Sequence, residues 1–308
     1  MTPKIAMIIP YFGKFPKWIE MYLYSCSYQK MIDFHYYTDC ELPEKIYVNT
    51  IFHKITFKDY CQMVSSRLSI DFYPNEAYKL TDLKPFYGYI HQDLLKGYEF
   101  WAFGDIDIVF GDLSPLVNER NLKKYDLLTT HSYHIAGHFT ICRNIKRYNE
   151  LCFKYLYWKE MLMDIKHYGF DESYWSKLVY PQLGWVRRVH KYFFQPFGIG
   201  LFSYLNIANK LFCNRWTKRH FKEYYTSPCV EPKDGLLPEW VYDPQTHCLY
   251  SHTGRSLIYL HFLFFKKTPW FDTDYYWHDD FWKIGKVDDY SQCKKIGFNY
   301  KGLTFKEQ

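Results

Sequence analysis

The feature that most constrains how this chain can fold is a short apolar run that ends in two closely spaced carboxylates. Residues 98–103 (YEFWAF) predict a buried strand, and Asp105, Ile106 and Asp107 follow it after one glycine. Side chains of an extended segment alternate between two faces, so both carboxylates point the same way and Ile106 points into the protein. Like charges this close raise one another's pKa unless a cation lies between them. Mg²⁺ or Mn²⁺ bound by Asp105 and Asp107 would supply that cation; otherwise two exposed acids simply end the strand.

Three short apolar runs precede this strand and alternate with helices. The runs cover residues 4–10, 33–38 and 50–57, and helices are predicted over residues 16–30 and 58–70. Continuous apolar runs of this length are typical of strands that are buried on both faces of a parallel sheet. The order therefore predicts an α/β fold, in which helices flank a mostly parallel central sheet and a ligand crevice follows its carboxyl edge.

Further elements are predicted on either side of the carboxylate pair. One helix carries Asp82 and Lys84 and stops at Gly97, and another covers residues 146–164. A strand is predicted at residues 126–130. We expect the first hundred residues to form a nucleotide-binding half, which the acidic turn closes.

Composition limits the classes of function. A chain of 308 residues can bury a sizeable core, as one large domain or as one domain with a second lobe. Aromatic residues make up 22% of the chain but are spread along its length, so most of them indicate no special affinity for sugars. The net charge of +6 suits an anionic ligand or anionic lipid. No dense basic run typical of nucleic-acid binders is present, so we expect no nucleic-acid partner.

Cysteine usage and hydropathy predict a location. Nine cysteines, an odd number without a Cys-x-x-Cys pair, favour a reducing compartment over a disulfide framework or a structural zinc site. The first apolar run is too short for a signal peptide, and none approaches about eighteen residues. We therefore expect a cytoplasmic protein. Residues 192–225 mix aromatic and basic side chains and predict peripheral contact with the inner face of a membrane; the alternative is an ordinary amphipathic packing element.

Three later features could complete a site. Gly137 precedes an alternating strand, where a glycine lets a ligand approach the backbone closely. Asp171 and Glu172 could supply a general base, or could merely cap a helix. His261 lies in an apolar run before two lysines and could be a metal ligand or a core histidine. Three clustered histidines could line an acceptor site or form a solvated surface: His131, His134 and His138.

In their order, four features resemble the common core of GT-A-fold glycosyltransferases, which use nucleotide-sugar donors. They are the Asp105-Ile106-Asp107 motif, the glycine loop around Gly137, the acidic pair Asp171-Glu172, and His261 followed by Lys267 and Pro269-Trp270. The resemblance covers residues 4–270 and implies a Rossmann-like GT-A domain with an acceptor-side C-terminal lobe. Residues 84–112 also look like bacterial enzymes that build capsule, O-antigen or lipopolysaccharide chains.

The resemblance implies a role for each matching residue on the donor side. Asp107 would be the main metal ligand, Asp105 would contact the ribose or the metal, and His261 would complete the metal sphere. Lys267 would meet the diphosphate. The other residues implied at the nucleotide-sugar site are Pro10, Tyr11, Phe12, Asp39, Asp82, Lys84 and Gly137.

The resemblance also implies a base on the acceptor side. The family motif is written Glu-Asp, whereas this chain has Asp171 followed by Glu172, so the choice between the two carboxylates stays open. If Glu172 takes the proton of the acceptor hydroxyl, the reaction inverts the anomeric centre. If no base stands there, a retaining mechanism is expected.

The domain organisation follows from the same resemblance. Residues 1–270 would form the GT-A catalytic domain, and residues 271–308 a C-terminal tail packed on it. Within the domain, residues 1–113 would bind the nucleotide-sugar and residues 114–270 the acceptor.

The function expected from these features is a metal-dependent glycosyltransferase that acts in bacterial surface polysaccharide biosynthesis. Its cofactor would be Mn²⁺ or Mg²⁺, its donor a UDP-sugar, and its acceptor a glycan or lipid-linked glycan. Residues 100–109 (FWAFGDIDIV) also match haloacid-dehalogenase-like phosphatases, in which Asp105 would be the nucleophile. A second alternative is a non-catalytic glycan-binding protein on a degenerate GT-A core.

Overall fold

The computed structural model describes residues 4–131, 134–180, 188–198, 217–219, 239–251, 253–262, 290–299 and 302–307. The strands in chain order are β1 (Ile5–Pro10), β2 (Ile32–Thr38), β3 (Thr50–Lys54), β4 (Phe100–Gly104), β5 (Ile108–Phe110), β6 (Leu127–Thr129), β7 (Phe139–Arg143), β8 (Thr217–Arg219), β9 (Trp240–Asp243), β10 (Cys248–Tyr250), β11 (Ser256–Leu257), β12 (Tyr259–His261), β13 (Cys293–Asn299) and β14 (Gly302–Glu307). The α-helices are α1 (Ile19–Ser27), α2 (Phe57–Leu68), α3 (Tyr87–Ile90), α4 (Glu119–Lys124), α5 (Lys146–Asn149), α6 (Trp158–Met163) and α7 (Ser176–Val179).

A mostly parallel seven-stranded sheet flanked by helices forms the centre of the molecule, in the order β3-β2-β1-β4-β7-β6-β8. β3, β2, β1 and β4 run parallel, whereas β7 is antiparallel to both of its neighbours. The predicted α/β fold class is therefore confirmed. The three predicted strands that precede β4 are also confirmed, with ends that differ by a few residues.

Burial on both faces of the sheet explains the continuous apolar runs. Along β1, Ile5 and Met7 belong to one buried apolar layer, and Ala6 and Ile8 belong to the layer on the opposite face. All four side chains are fully buried. Because both faces of β1 are covered by apolar layers, its run is apolar throughout and does not show the alternation of a half-exposed strand.

Two predicted helices differ from the observed structure. The segment that carries Lys84 is a 3₁₀ helix, Ala77–Phe86, with Pro85 inside it; proline has no N–H and disrupts an α-helix. The helix predicted over residues 146–164 is interrupted: a 3₁₀ turn, Leu151–Lys154, and a bend and turn at residues 155–157 separate α5 from α6. Aromatic side chains of this stretch, among them Phe153, pack against the core, and this tertiary packing overrides the local helical preference.

A second, antiparallel sheet lies in the C-terminal part, in the order β11-β10-β9-β13-β14. β13 pairs with β9 on one side and with β14 on the other. The tail predicted over residues 271–308 therefore supplies two strands of a sheet that it shares with residues 240–257. This sheet packs on α1, where the rings of Tyr24 and Tyr242 lie 6.1 Å apart.

The described helices were compared with the length and hydropathy that a membrane span needs. Among the residues that the structure describes, no helix is long and apolar enough to cross a membrane.

Two buried histidines predict how stability depends on pH. Burial, reinforced by the neighbouring His53, lowers the pKa of His35 to about 4, and burial lowers that of His91 to about 3. Both rings ionise near pH 6.5 in an unfolded chain. Between about pH 6.5 and 4 the unfolded state therefore binds protons that the folded state does not, and stability falls as the pH falls. We expect urea denaturation to report a loss of roughly 2 kcal/mol per histidine between pH 7 and pH 5.

Replacing either histidine by glutamine separates the contribution of the histidines to the pH dependence of stability from the contribution of the carboxylates. His91 Nε2 lies 3.0 Å from the Tyr60 hydroxyl, a contact that a glutamine amide can keep. His91→Gln should lose about half as much stability between the two pH values as the wild type loses through both histidines. An unchanged pH dependence in both His91→Gln and His35→Gln would contradict this account.

Candidate functional site

A cavity of about 870 Å³ opens at the carboxyl ends of β1 and β4. Residues from several distant parts of the chain line it. Five of the residues predicted to bind the nucleotide-sugar line it: Pro10, Tyr11, Phe12, Lys84 and Gly137. The five predicted ligand and acid residues also line it: Asp105, Asp107, Asp171, Glu172 and His261. The structure therefore brings most of the predicted site residues together.

Three short strands bring two carboxylates and an imidazole together. Asp105 follows β4, and Asp107 directly precedes β5. β12 pairs antiparallel with β5 in a register that sets His261 opposite Ile108, and the Phe262 N–H donates to the Asp107 carbonyl at 3.1 Å. One ligand atom from each of Asp105, Asp107 and His261 lies within 4.8 Å of the others. This two-stranded ribbon explains how a histidine about 150 residues away in sequence reaches the acidic pair.

The three residues fit a hard divalent ion. Two ligands of one Mg²⁺ or Mn²⁺ ion lie roughly 3 to 4.2 Å apart when each bond is about 2.1 Å long. His261 Nε2 and Asp107 Oδ1 are 3.5 Å apart, within that range. Asp107 and His261 are each only 4% exposed, whereas Asp105 is partly open to the cavity. Two carboxylates and one imidazole, with open positions left for a phosphate, are a suitable donor set for Mg²⁺ or Mn²⁺.

The backbone of the Asp105-Ile106-Asp107 turn is held from both sides. The indole N–H of Trp18 donates to the Ile106 carbonyl at 2.9 Å, and the Asp105 N–H donates to the His138 carbonyl at 3.1 Å. The Ile106 side chain packs into the core, as the alternation of side chains predicted. Hydrogen bonds within the protein therefore fix the backbone that carries both carboxylates.

Lys84 connects the carboxylate of Asp105 to the acidic pair. Its Nζ donates to Asp105 Oδ1 at 2.6 Å and to the Gly137 carbonyl at 2.9 Å, and it lies 3.9 Å from Asp171 Oδ2. Burial by itself lowers the pKa of Lys84, but the charges of Asp105 and Asp171 outweigh burial and raise it. The lysine therefore stays charged and offsets part of the negative charge of the site.

The acidic pair divides into a buried and an exposed carboxylate. Asp171 is 5% exposed, whereas Glu172 is exposed to the cavity and accepts a hydrogen bond from the Gly137 N–H at 3.1 Å. Burial raises the pKa of Asp171 to about 7; Lys84 opposes this rise and Glu172 adds to it. The π-helical segment Phe170–Trp175 carries both residues.

Gly137 allows the close approach of these carboxylates. A Cβ at position 137 would lie 2.6 Å from Asp171 Oδ2 and 2.9 Å from Glu172 Oε1, closer than side-chain contacts allow. The sequence predicted that a ligand approaches this glycine. The groups that approach it in the structure are the two carboxylates themselves.

Asp39 supports the loop that follows β1. Its Oδ1 accepts the Gly13 N–H at 2.8 Å, and Gly13 has a positive φ of 96°, which favours glycine. The side chain of Asp39 is exposed and is not among the residues that line the cavity. It can hold the shape of the segment that contains Tyr11 and Phe12, both of which do line the cavity.

Asp82 lies outside the cavity and has a different environment from the one predicted. It is 1% exposed, and its Oδ2 forms a 3.0 Å ion pair with Lys79. Its carboxylate also accepts the backbone N–H groups of Tyr168 and Phe170. These bonds anchor the chain immediately before the acidic pair, so Asp82 positions Asp171 and Glu172 through the backbone.

Asp82→Asn is expected to destabilise the fold without removing the metal site. Loss of one partner leaves the ammonium of Lys79 buried without its counter-charge, which costs about 3–5 kcal/mol. Chemical denaturation should report that loss, while Mn²⁺ binding below the unfolding transition stays within a factor of a few of the wild type. A variant with wild-type stability and no metal binding would contradict this account and would indicate that Asp82 takes part in ligand binding.

Some predicted features cannot be located. Lys267 and Pro269-Trp270 lie outside the described residues. Of the segment 192–225, only residues 192–198 and 217–219 are described. The aromatic side chains of Tyr192, Phe193 and Phe197 are exposed.

Tyr259 and Thr130 support His138 from outside the cavity, a role that sequence reasoning missed. The Tyr259 hydroxyl donates to Thr130 Oγ1 at 2.6 Å and lies 2.7 Å from His138 Nε2. The His138 ring stacks on that of His261, with centroids 4.3 Å apart. The sequence did contain a signal for Tyr259. It precedes His261 by two residues, and in an extended segment both side chains point to the same face.

Comparisons with known proteins give a family and two distant structures. A family model described as "Family of unknown function (DUF6625)" matches residues 7–272. No curated protein matches the chain. The apo-form structure of the glycosyltransferase GlyE from Streptococcus pneumoniae TIGR4 is 11% identical with a TM-score of 0.26, and a second GlyE structure is 9% identical with a TM-score of 0.25. Both matches cover 71% of this chain but only 45% of the GlyE chain. TM-scores at this level do not identify a shared fold.

Proposed function

The chain belongs to DUF6625, a family of unknown function, and we propose that it is a metal-dependent glycosyltransferase with a nucleotide-sugar donor. The proposed donor is a UDP-sugar, and the proposed acceptor is a glycan or lipid-linked glycan of a surface polysaccharide. The proposed location is the cytoplasm, at the inner face of the membrane where such acceptors would be met.

This proposal rests on the convergence of Asp105, Asp107 and His261 at the carboxyl end of β4. Their ligand atoms lie within 4.8 Å of one another, and the acidic pair lines the same cavity. A volume of about 870 Å³ suits a ligand with several rings, because known ligand pockets span about 300–1,000 Å³. Diphosphate binding and proton abstraction would then take place within one crevice.

Each part of the cavity has a chemical role in this proposal. Mg²⁺ or Mn²⁺ held by Asp105, Asp107 and His261 would neutralise the negative charge that develops on the departing nucleoside diphosphate. Lys84 holds Asp105 in place through its 2.6 Å hydrogen bond and adds a fixed positive charge beside it. Tyr11 lines the donor side, where its ring stacks on Phe15 with centroids 5.4 Å apart.

Glu172 is the proposed general base. It is the more exposed member of the acidic pair, and the Gly137 N–H orients its Oε1 at 3.1 Å. An acceptor hydroxyl can reach that carboxylate from the cavity and transfer its proton to it. Asp171 is buried against Lys84, where its carboxyl group positions the lysine. A base at Glu172 corresponds to inversion of the anomeric centre.

The phosphatase alternative is less well supported by the same geometry. Such phosphatases need a later lysine and a later acidic pair beside Asp105. The acidic pair Asp279-Asp280, which could fill this role, lies outside the described residues. The later residue that meets the two carboxylates is His261. An imidazole in that position supports a metal sphere for a diphosphate.

The donor class can be tested by nucleotide release. The protein is incubated with UDP-, GDP-, ADP- and CMP-sugars, each with Mn²⁺ or with EDTA, and the freed nucleotide is measured. Slow hydrolysis of one donor in the presence of Mn²⁺ alone is the expected result. Hydrolysis of phosphate monoesters without any nucleotide-sugar turnover would favour the phosphatase, and glycan binding without either activity would favour a binding protein.

A further inference from the structure

We propose that the same cavity holds a second divalent-cation site, formed by His131, His138 and Glu172, and that it takes a zinc-like ion. One ligand atom from each of these residues lies within 4.8 Å of the others. None of the three belongs to the Asp105, Asp107 and His261 cluster. The two clusters are neighbours, since the rings of His138 and His261 lie 4.3 Å apart.

Strand pairing brings the two histidines together. β6 and β7 are antiparallel with Thr129 opposite Thr140, and His131 and His138 lie just beyond these paired residues. Their rings meet edge to face, with centroids 5.3 Å apart at 89°. A pair of imidazoles at the end of a hairpin is therefore built into the central sheet.

The contact of His138 with Tyr259 sets the tautomer of its ring. Tyr259 donates its hydroxyl proton to Thr130 Oγ1 at 2.6 Å, so its oxygen accepts at 2.7 Å from His138 Nε2. With the proton on Nε2, the neutral ring carries its lone pair on Nδ1. Metal-binding histidines commonly donate their other N–H in this way, which fixes both the tautomer and the ring orientation. His138 is also 3% exposed, so the ring is held on all sides.

Glu172 supplies an oxygen ligand from the opposite wall. The Gly137 N–H holds its Oε1 at 3.1 Å, and the absence of a side chain at position 137 allows the carboxylate to come this close. Carboxylates have two oxygens and about four acceptor positions, so one backbone hydrogen bond leaves capacity for a cation.

Ligand chemistry separates the two sites. Two imidazoles and one carboxylate form the ligand set of zinc sites that keep a fourth position open. Two carboxylates and one imidazole at the first site suit Mg²⁺ or Mn²⁺ instead. Zn²⁺ binds more tightly than Mn²⁺ to most sites with nitrogen and oxygen ligands, so the second cluster should prefer Zn²⁺ over Mn²⁺ more strongly than the first cluster does.

Occupation of the second site has a consequence that rests on the proposed function. A carboxylate bound to a cation cannot readily accept a proton, so Zn²⁺ on Glu172 would suppress transfer. Zinc would act as an inhibitor at the acceptor side while the nucleotide-sugar stays bound at the donor side.

The test uses the full chain stripped of metal, then supplied with Mn²⁺ and UDP, and titrated with Zn²⁺ by calorimetry. The wild type should take up one Zn²⁺ per chain. His131→Ala and Glu172→Gln should each weaken this binding by at least about tenfold. His134→Ala is the matched control, because the His134 ring stacks on His131 at 3.9 Å but is not in the cluster; it should bind Zn²⁺ within twofold of the wild type.

One further variant tests whether the second site is independent of the first. Asp107→Asn, which removes a ligand of the first site, should retain the Zn²⁺ uptake in the absence of UDP. Loss of uptake in that variant, wild-type affinity in His131→Ala, or no uptake by the wild type would each overturn the second site. If the protein takes up Zn²⁺ but shows no Mn²⁺-dependent nucleotide binding, the proposed glycosyltransferase activity would be contradicted and the second cation site would stand.

Discussion

Asp107→Asn is expected to abolish metal-dependent nucleotide binding and to leave the stability of the metal-free protein almost unchanged. The amide keeps the shape of the side chain but removes the charge that would bind the ion between Asp107, Asp105 and His261. A nucleotide present at 100 times its Kd with Mn²⁺ should stabilise the wild type by about 2.7 kcal/mol, which raises the Tm by roughly 5 °C for a chain of this size. The variant should show no such rise in a thermal-shift experiment.

Asp112→Asn provides the matched control for this prediction. Asp112 is exposed in the turn after β5 and accepts hydrogen bonds from Ser114, so the same chemical change is made five residues away from the proposed ligand. This control should keep the full Mn²⁺-dependent rise. An intact rise in Asp107→Asn would remove Asp107 from the metal site.

Glu172→Gln is expected to lower the rate of sugar transfer by about two to four orders of magnitude and to spare donor binding. Glutamine can still accept the hydrogen bond from the Gly137 N–H through its amide oxygen, so the geometry of the loop is kept. It cannot take a proton from the acceptor. Steady-state kinetics with the identified donor should show the loss in kcat, with the Mn²⁺-dependent Kd of the nucleotide within a factor of a few of the wild type.

The comparison with Asp171→Asn identifies the base. Asp171 is buried, and its pKa is raised to about 7 by that burial, so it also has the acidity of a base that works near neutral pH. Its position beside Lys84 nonetheless keeps it away from the open part of the cavity. A normal rate in Glu172→Gln together with a large loss in Asp171→Asn would assign the base to Asp171.

The parts of the fold that sequence could predict are those set by local patterns. Apolar runs such as Ile5–Pro10 and Phe100–Gly104 have to be buried on both faces, so they were identifiable as parallel strands. The interruption of the helix predicted over residues 146–164 was not identifiable, because it depends on aromatic side chains, among them Phe153, finding partners in the core. The antiparallel sheet that joins residues 293–307 to residues 240–257 depends on pairing across a long stretch of sequence, which no local pattern reports.

The candidate site shows the same division. Asp105 and Asp107 were identified because two carboxylates after a buried strand are costly without a cation. The roles of Asp82 and Gly137 were not, since both depend on contacts with residues about 35 to 90 positions away: the backbone of Tyr168 and Phe170 for one, and the carboxylate of Glu172 for the other. The sequence indicates which residues have unusual chemistry, and tertiary contacts decide which of them face the cavity.

The most direct test of the central claim is ³¹P NMR of UDP in the presence of the protein and substoichiometric Mn²⁺. If Asp105, Asp107 and His261 hold an ion that carries the diphosphate, bound Mn²⁺ should broaden both phosphorus signals strongly with the wild type. The broadening should fall to the level of protein-free Mn²⁺ and UDP with Asp107→Asn. Equal broadening with the two proteins, or none beyond the protein-free level with the wild type, would contradict the assignment of this cavity as a metal-dependent nucleotide-sugar site.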